Sequence, residues 1–546
     1  MKNLYIILII LLVFSACNDD FMNKYPGDEI SDASYWNSAE DIAMYSNTFY
    51  PNIQQKGNLY HLDNGTDNQG PFSRDSYAWG ETEVPTTGGG WAKSDWLQIR
   101  RCNYALVRID NMGADPSFVR YEAEIRFFRA FFYFDKVKRF GDVPWIDKDL
   151  QTNSEELYNP RDSRKIVISK ILEDLDFAIE NLPEELTEQR LTKYAALAFK
   201  TEMCLFEGTF RKYHNLGDWQ QILQEAVKAA EEVINSGLFN IYSTGNPDMD
   251  YFDLFVQYDL RNHPEAILVR HYELNLLMHN TPRSLSVQRT GWTQDFIESF
   301  LCTDGLPIGL SPLYQGDDYI EDLYIDRDPR LDQLSHNYKK RPYRIWDDGT
   351  EEWKLRFPEF NSTEIYTGYW ITKFYSPYER DRQQNMTIID EFIFRYGELL
   401  VSYAEAKAEL GECTQQVLDV SINKLRDRAG MPHLTVDVGF VDPNWPDWEV
   451  KPSPLSLINE IRRERRIELA AEGKRWWDLV RWKAGKLLEN PKVILGARDP
   501  DTGEYHVLYP AITQRNWYDR LYLRPLPYQD LTLNPNLTQN PGWENF

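Results

Sequence analysis

The sequence predicts a mainly α-helical protein of stacked antiparallel helix pairs, a tetratricopeptide-like α-α superhelix covered on one side by long irregular loops with few short strands. Three observations favour this fold. Apolar residues recur at three- and four-residue steps in several segments joined by short links. Small residues such as Ala195, Ala196 and Ala198 stand where paired helices pack closely. The stretch between 240 and 390 lacks this periodicity and is rich in Pro, Gly, Asp and aromatic residues.

The first half of the chain carries six predicted helices. Ser38 is a candidate N-cap of the first, Gly141 and then Pro144 end the third, and Gly237 ends the sixth. The predicted helices cover residues 39–49, 95–111, 117–140, 162–180, 192–211 and 218–236. The short links between them are typical of antiparallel pairs.

The second half begins with loops and returns to helices. One short strand is predicted at 265–269, and helices at 390–410, 414–428 and 456–488. The tail from residue 490 is irregular and rich in proline. Because disordered segments are poor in aromatic residues, the aromatic content of the loops favours an ordered structure.

The N-terminus has the pattern of an exported lipoprotein. Lys2 precedes an apolar run from Leu4 to Phe14 that is too short for the roughly 20 residues of a membrane span. Phe14-Ser15-Ala16-Cys17 then resembles a bacterial lipobox, so we expect residues 1–16 to be a signal peptide and 17–37 a tether lipidated at Cys17. An ordinary secretory signal with a chance cysteine is the alternative. The following acidic tract, residues 18–20, resembles a signal for export to the outer face of the outer membrane.

Composition excludes several classes of function. The net charge of −25 argues against nucleic-acid binding, which needs a basic surface. The cysteines other than Cys17 are scattered without metal-ligand spacing and therefore suggest no metal site; they are Cys102, Cys204, Cys302 and Cys413. No cofactor is expected either. Cys204, in a helical apolar segment, is interpreted as a buried small hydrophobe.

No catalytic motif stands out. The sequence has no Gly-x-Ser-x-Gly elbow, HExxH or phosphate-binding loop. Acidic pairs such as Asp317-Asp318 and Asp347-Asp348 are interpreted as solvated loop residues. Glu464 and Glu468 lie among arginines, which lower a carboxyl pKa and so oppose the role of general acid. We therefore predict that the protein is not an enzyme.

Four stretches together resemble the SusD/RagB family of outer-membrane nutrient-binding lipoproteins. They are EIRFFRAFFYFDKVKRFGDVP at 124–144, FRYGELLVSYAEA at 394–406, IRRERRIELAAEGKRWWDLVRW at 461–482, and YLRPLP at 522–527 with QNPG at 539–542. Each stretch is weakly specific alone, and their order after a lipobox makes the combination specific. In the third stretch Arg462, Arg466, Arg475 and Asp478 are predicted to form a partly buried network that docks the C-terminal region onto the helices.

The resemblance implies an organisation and a function. Residues 38–270 would form an N-terminal SusD-like helical region with a ligand loop at 55–93. Residues 271–546 would form the C-terminal region, loop-rich at 271–390, helical at 391–488 and irregular at 489–546. The protein would capture an oligosaccharide at the cell surface and pass it to a SusC-like TonB-dependent transporter. A peptide-binding member of the family is the alternative, and a surface glycoside hydrolase is a less favoured one.

The candidate ligand site lies in the loop at 55–93. Sugar recognition uses flat rings for stacking and planar polar side chains that pair with hydroxyl groups, and this loop contains both. Its candidates are Asp67, Asn68, Arg74, Tyr77, Trp79 and Trp91. The resemblance adds Arg283, Trp292 and Trp346 by their position in the middle region. The competing interpretation of each tryptophan is packing of a loop onto the scaffold.

Overall fold

The computed structural model describes residues 35–53, 61–186, 190–287, 289–353, 360, 366–445 and 455–544. Cys17 with its lipobox, most of the predicted tether and residues 55–60 of the predicted ligand loop lie outside the described residues. Within them helices dominate, and the named strands form three two-stranded antiparallel sheets. The predicted mainly α-helical fold is confirmed.

All six N-terminal helices form close to their predicted positions. They are α1 (Ala39–Asn47), α2 (Lys93–Met112), α3 (Val119–Phe140), α4 (Arg164–Asn181), α5 (Lys193–Tyr213) and α6 (Trp219–Ser236). Ser38 caps α1 as predicted: its Oγ accepts from the Asp41 N–H, while the Asp41 carboxylate accepts from the Ser38 N–H. Gly141 and Gly237 follow α3 and α6 with φ of 74° and 68°, which a side chain would disfavour.

Neighbouring helices pack as antiparallel pairs. A link of residues 214–218 returns the chain from α5 to α6, and the two helices pack along their length, as do α3 and α4. Almost every residue of α5 is buried, because α5 contacts α4 and α6 as well as helices from the C-terminal half. The N-terminal pairs therefore form the scaffold that the rest of the chain covers.

Loops and short elements fill the middle of the chain. These are α7 (Asp250–Leu254), β1 (Ala266–Arg270), α8 (Thr281–Leu285), α9 (Gln294–Glu298), α10 (Arg330–Leu334), β2 (Arg344–Ile345), β3 (Glu351–Glu352) and α11 (Glu379–Arg382). The predicted strand at 265–269 is confirmed as β1. Strands β2 and β3 form a small hairpin.

The C-terminal helices are shorter than predicted. The elements are β4 (Glu391–Arg395), α12 (Tyr396–Glu409), α13 (Gln415–Asp419), α14 (Ile422–Arg428), α15 (Leu455–Glu468), α16 (Arg475–Arg481), β5 (Leu495–Arg498), β6 (Tyr505–Val507) and α17 (Tyr528–Leu533). The prediction of helix from residue 390 is wrong, because β4 pairs with β1. The prediction of one helix at 456–488 is also wrong. The Ala471 N–H donates instead to Asp63 Oδ2 (2.8 Å), and Gly473 has a φ of 74°.

One apolar core joins both halves of the chain. Helices α12 and α16 pack on the N-terminal pairs and α15 packs on α12. Trp482 and Trp543 are buried in the same cluster as Phe128. A second cluster around Trp292 and Trp370 lies under the middle loops. None of the helices in the described ranges combines the length and apolar character that crossing a bilayer requires.

Buried ion pairs fix the C-terminal helices. The Glu468 carboxylate is fully buried and accepts from Arg428 (2.6 Å) and Arg395 (2.7 Å), with Arg330 at 3.5 Å. Although burial alone would raise it, these arginines hold the pKa of Glu468 at about 2. Glu468 is thus a structural anion. The predicted network is present in part: Arg462 reaches the N-terminal helices through the Tyr213 hydroxyl (2.9 Å) and also binds Glu409. Asp478 accepts from Arg465 of its own segment, and Arg466 and Arg475 pair with the loop residue Asp67 instead.

Candidate functional site

Backbone hydrogen bonds position the ligand loop on the middle region. The Gly70 N–H donates to Gly291 O (2.9 Å) and the Phe72 N–H to Arg289 O (2.8 Å). On its other side Gly291 approaches the 367–369 segment, where a Cβ would lie 2.1 Å from Thr367 Oγ1 and only glycine fits. The loop therefore presents its next residues, from Phe72 onward, beside the segment that ends at Arg289.

The acidic end of the loop is buried. Asp67 accepts from Arg475 Nε and Nη2 at 2.7 and 2.6 Å, and Asn68 Oδ1 accepts from Arg466 Nε at 2.8 Å. Burial would raise the pKa of Asp67, yet Arg466 and Arg475 hold it well below its usual range. We correct the prediction for Asp67 and Asn68: each is 1% exposed and ties the loop to the 461–482 segment, so no ligand reaches them in this structure.

Two predicted tryptophans also serve packing. Trp91 is 6% exposed and its ring contacts Trp96 and Phe140 edge-on at 5.0 and 4.8 Å between centroids. Trp292 has no exposed surface; its Nε1 donates to Leu334 O (2.7 Å). Both rings lack a face for a ligand, and we correct these two predictions as well. The competing interpretation, loop-to-scaffold packing, holds for both.

Tyr77 faces away from the outer surface of the loop. Its hydroxyl donates to Leu521 O (2.8 Å), and its ring lies parallel to Trp543 at 6.4 Å between centroids. Burial raises the pKa of the hydroxyl. Tyr77 is half-buried and lines a cavity described below.

Arg74 and Trp79 remain partly exposed, in what we call the loop patch. It consists of Phe72, Arg74, Trp79 and Arg289 at the surface, with the buried rings of Tyr366 and Tyr509 packed against them. The Trp79 ring is half-buried, meets Tyr509 edge-on at 5.1 Å, and has the guanidinium groups of Arg74 and Arg515 at 5.0 and 4.8 Å from its centroid. Arg74 is also paired with Glu81. A sugar that stacks on Trp79 would therefore have to displace the Arg74 side chain.

Phe72 is the most exposed ring of the loop patch. It is 47% exposed, meets Tyr366 edge-on at 5.3 Å, and has the Arg289 guanidinium 3.6 Å from its centroid. Neither Phe72 nor Arg289 was among the residues predicted from the sequence. The sequence could have indicated both, because Phe72 lies two positions from the predicted residue Arg74 and Arg289 lies three positions from the predicted residue Trp292. Tyr366 and Tyr509 carried no such signal, since they come from distant segments.

Arg283 and Trp346 lie together on a second surface, the hairpin patch: Arg283, Arg344, Trp346, Tyr378, Arg380 and Arg382. Trp346 is 40% exposed at the tip of the β2–β3 hairpin, and the Arg344 guanidinium lies 3.4 Å from its ring centroid. Arg344 is fixed by Glu379 in α11. Arg283 in α8 donates to the Arg382 carbonyl at the end of α11 (3.4 Å). The structure thus brings these two predicted residues to one loop cluster.

The two patches are connected along the chain. Arg283 in the hairpin patch and Arg289 in the loop patch are six positions apart in the sequence. Both patches combine exposed aromatic rings with arginine side chains, which is the chemistry that stacks on sugar rings and donates to their oxygens. We take the two patches together as the candidate ligand surface.

A sizeable cavity lies elsewhere among the described residues, between α3, β4 and the turn before α16. Its volume is about 720 Å³, within the range of small-ligand sites. Some of its charged groups pair with one another: Lys474 contacts Glu398 at 2.6 Å and Glu202 at 2.9 Å. Of the predicted site residues only Tyr77 lines this cavity, so we keep the exposed patches as the candidate ligand surface.

One group of possible metal ligands occurs in the described part of the chain: Asp259, His271 and Asp390. Their hydrogen bonds are already made. Both Asp259 oxygens accept from Arg261, at 2.8 and 2.6 Å. Asp390 accepts from the Leu260 and Tyr272 N–H groups and contacts His271 Nδ1 at 2.9 Å. This arrangement favours a structural role, and the expected lack of a metal stays a prediction.

Comparison with known proteins identifies similar chains over the whole length. The profile described as SusD family matches residues 256–543, and one described as starch-binding, associating with outer membrane, matches residues 25–205. A SusD-like protein of Formosa agariphila is 25% identical over 98% of this chain and 97% of its own. A SusD-like protein of Bacteroides fragilis superposes with a TM-score of 0.73 at 26% identity, covering 95% of this chain and 100% of its own. A SusD-like carbohydrate binding protein of the same species has a TM-score of 0.71 at 24% identity, with 92% and 100% covered.

Proposed function

The chain belongs to the SusD family, and from this premise we propose that it captures an oligosaccharide at the outer surface of the outer membrane. The observation that carries the proposal is the pair of exposed aromatic and arginine patches on the loop face. A fixed ring can stack on the apolar face of a sugar while a guanidinium donates to its oxygens. The carbohydrate-binding relative and the description of the N-terminal profile support the same class of ligand.

The ligand is bound without turnover in this proposal. Glu468 and Glu464 of the arginine-rich segment are buried anions in ion pairs, which suits neither general acid nor nucleophile. The exposed acidic pairs, such as Asp347-Asp348, lie in turns. Incubating the protein with a bound glycan and following product masses tests this: turnover abolished by one Asp or Glu substitution would place the protein among hydrolases.

Delivery to a SusC-like TonB-dependent transporter completes the proposal. The lipobox at Cys17 would hold the protein in the same membrane as that barrel. Affinity purification of the tagged protein from detergent-solubilised outer membranes tests the partnership. Recovery of a TonB-dependent barrel is expected, and its absence under conditions that retain the lipoprotein would contradict the partnership.

Glycan binding itself is tested on an array with the mature protein in detergent. The array carries neutral, carboxylated and sulfated glycans, and peptides as the alternative ligand class. Binding to at least one glycan is expected. The Trp346→Ala variant should lose roughly thirtyfold in affinity if the ring is a binding hot spot. Binding to peptides alone would move the protein to the peptide-binding alternative.

A further inference from the structure

The ligand surface carries arginines in a strongly acidic protein. The chain has 60 basic against 85 acidic side chains, a net charge of −25. Such a molecule repels polyanions at long range, and this repulsion disfavours the capture of an acidic polymer unless the contact surface itself is basic. In both patches a ring lies beside a guanidinium group. Arg74 and Arg344 are already paired with Glu81 and Glu379, so uncompensated positive charge has to come from other arginines of the surface.

Three arginines of the hairpin patch form no ion pair within the described ranges. Arg283 donates to a backbone carbonyl, Arg380 to the Tyr258 hydroxyl (2.8 Å), and Arg382 to the Tyr343 carbonyl and hydroxyl (3.2 and 2.9 Å). Each guanidinium has five N–H donors, so most donors of these three groups remain for a ligand or water. Arg283 and Arg380 are exposed, and Arg382 is half-buried.

The carboxylates of α11 point inward. Glu379 is 9% exposed and pairs with Arg344, the arginine that supports the Trp346 ring. Asp381 is 2% exposed and accepts from the Tyr258 and Ser376 hydroxyl groups. The acidic residues of the hairpin do reach solvent: Asp347 and Asp348 in its turn, and Glu351 and Glu352 on β3. Asp348 accepts from the Thr350 N–H, and Glu351 accepts from Trp353 Nε1. The outward face of α11 is therefore positive.

We propose that the captured oligosaccharide is anionic, and that Arg283, Arg380 and Arg382 bind its carboxylate or sulfate groups beside the Trp346 and Tyr378 rings. This inference rests on the proposed function. The planar fork of a guanidinium matches a carboxylate or sulfate with two parallel hydrogen bonds, and such charge-assisted bonds are about twice as strong as neutral ones. A surface that recognised only neutral hydroxyl groups would not need three arginines without carboxylate partners.

Matched pairs of glycans that differ only in charge test the inference by calorimetric titration. Oligogalacturonides are compared with their methyl esters, and carrageenan oligosaccharides with their desulfated forms; laminarin oligosaccharides serve as a neutral reference. We expect binding to at least one anionic member, at least tenfold weaker binding to its neutral counterpart, and a steep loss of affinity as NaCl rises from about 50 to 500 mM. The two pairs distinguish carboxylate from sulfate recognition.

Variants localise the contact. Arg283→Ala and Arg380→Ala should each weaken binding of the anionic probe roughly tenfold and flatten its salt dependence. Arg100→Ala is the matched control: this exposed arginine in α2 donates to Leu150 O and lies outside both patches. Circular dichroism and melting of all three variants verify folding, which exposed residues should not disturb.

Three outcomes would overturn the inference, and they differ in meaning. Binding to neutral glycans alone would refute anion recognition and leave oligosaccharide capture intact. Binding to an anionic probe that both arginine variants retain at full affinity would refute the assigned residues. Binding to no glycan in the whole set would refute the proposed function and, with it, this inference.

Discussion

Replacing Glu468 by glutamine should destabilise the protein strongly. The substitution keeps the shape of the side chain and removes a buried charge that Arg395, Arg428 and Arg330 share. Breaking a buried ion pair on one side costs about 3–5 kcal/mol. The pKa gives a similar figure: a fall from the ordinary 4.5 to about 2 corresponds to roughly 3 kcal/mol.

Thermal melting at pH 7 measures the effect. With an unfolding entropy of about 2.1 cal/mol/K per residue, a chain of this size loses roughly 1 °C of melting temperature per kcal/mol, so Glu468→Gln should melt about 3–5 °C lower. Glu173→Gln is the matched control, because this glutamate is 59% exposed and pairs only with Lys170 in the same helix. Its effect should stay within about 0.5 kcal/mol.

The pH dependence separates this explanation from simple loss of packing. Because the folded pKa of Glu468 is depressed, its contribution is fully present above pH 4.5 and is lost as the pH falls through about 2. The difference in melting temperature between the original protein and Glu468→Gln should therefore narrow between pH 4.5 and pH 2. The reasoning would be refuted if Glu468→Gln had the same melting temperature as the Glu173→Gln control at pH 7. It would also be refuted if the difference in melting temperature between the original protein and Glu468→Gln stayed constant down to pH 2.

Three further predictions concern packing, reactivity and anchoring. Trp292→Ala should cost about 3–5 kcal/mol of stability, whereas Trp346→Ala should cost well under half of that, because only the first ring is buried; equal melting temperatures would contradict the assignment. Burial raises the pKa of the Cys102 and Cys204 thiols, so Ellman's reagent should label them only after denaturation, and rapid labelling of the native protein would count against their burial. Cys17→Ala should release the protein from membranes in cell fractionation, and a variant that stays membrane-bound and protease-accessible on intact cells would disprove lipid anchoring.

The sequence predicted local structure well where local forces decide it. Helices α1 to α6 follow from apolar periodicity, and the ends of α1 and α3 follow from the Ser38 cap and Gly141. These signals lie within a few residues of the structure they specify. The C-terminal errors have a different origin. Residues 391–395 became a strand through pairing with β1, about 125 residues earlier, and local propensity does not register such a partner.

The candidate site was only partly predictable. Arg74, Trp79, Arg283 and Trp346 lie at the surface as predicted. Asp67 and Asn68 do not, because residue type alone does not distinguish a polar side chain that faces a sugar from one that faces a buried arginine. Their partners Arg475 and Arg466 are about 400 residues away in the chain. Phe72 and Tyr366 likewise meet only through the fold.

By itself the sequence determined the helical scaffold and the acidic net charge, and it predicted the lipobox, because each depends on residue type or on spacing along the chain. Tertiary structure alone decided which polar and aromatic side chains stay exposed. Asp67 is buried because Arg475 of the 461–482 segment compensates the charge of its carboxylate. Asn68 is buried beside it because Arg466 donates a hydrogen bond to its amide oxygen. Arg283, Arg380 and Arg382, for which the described residues supply no carboxylate, stayed at the surface with the exposed rings, and there they are available to a ligand.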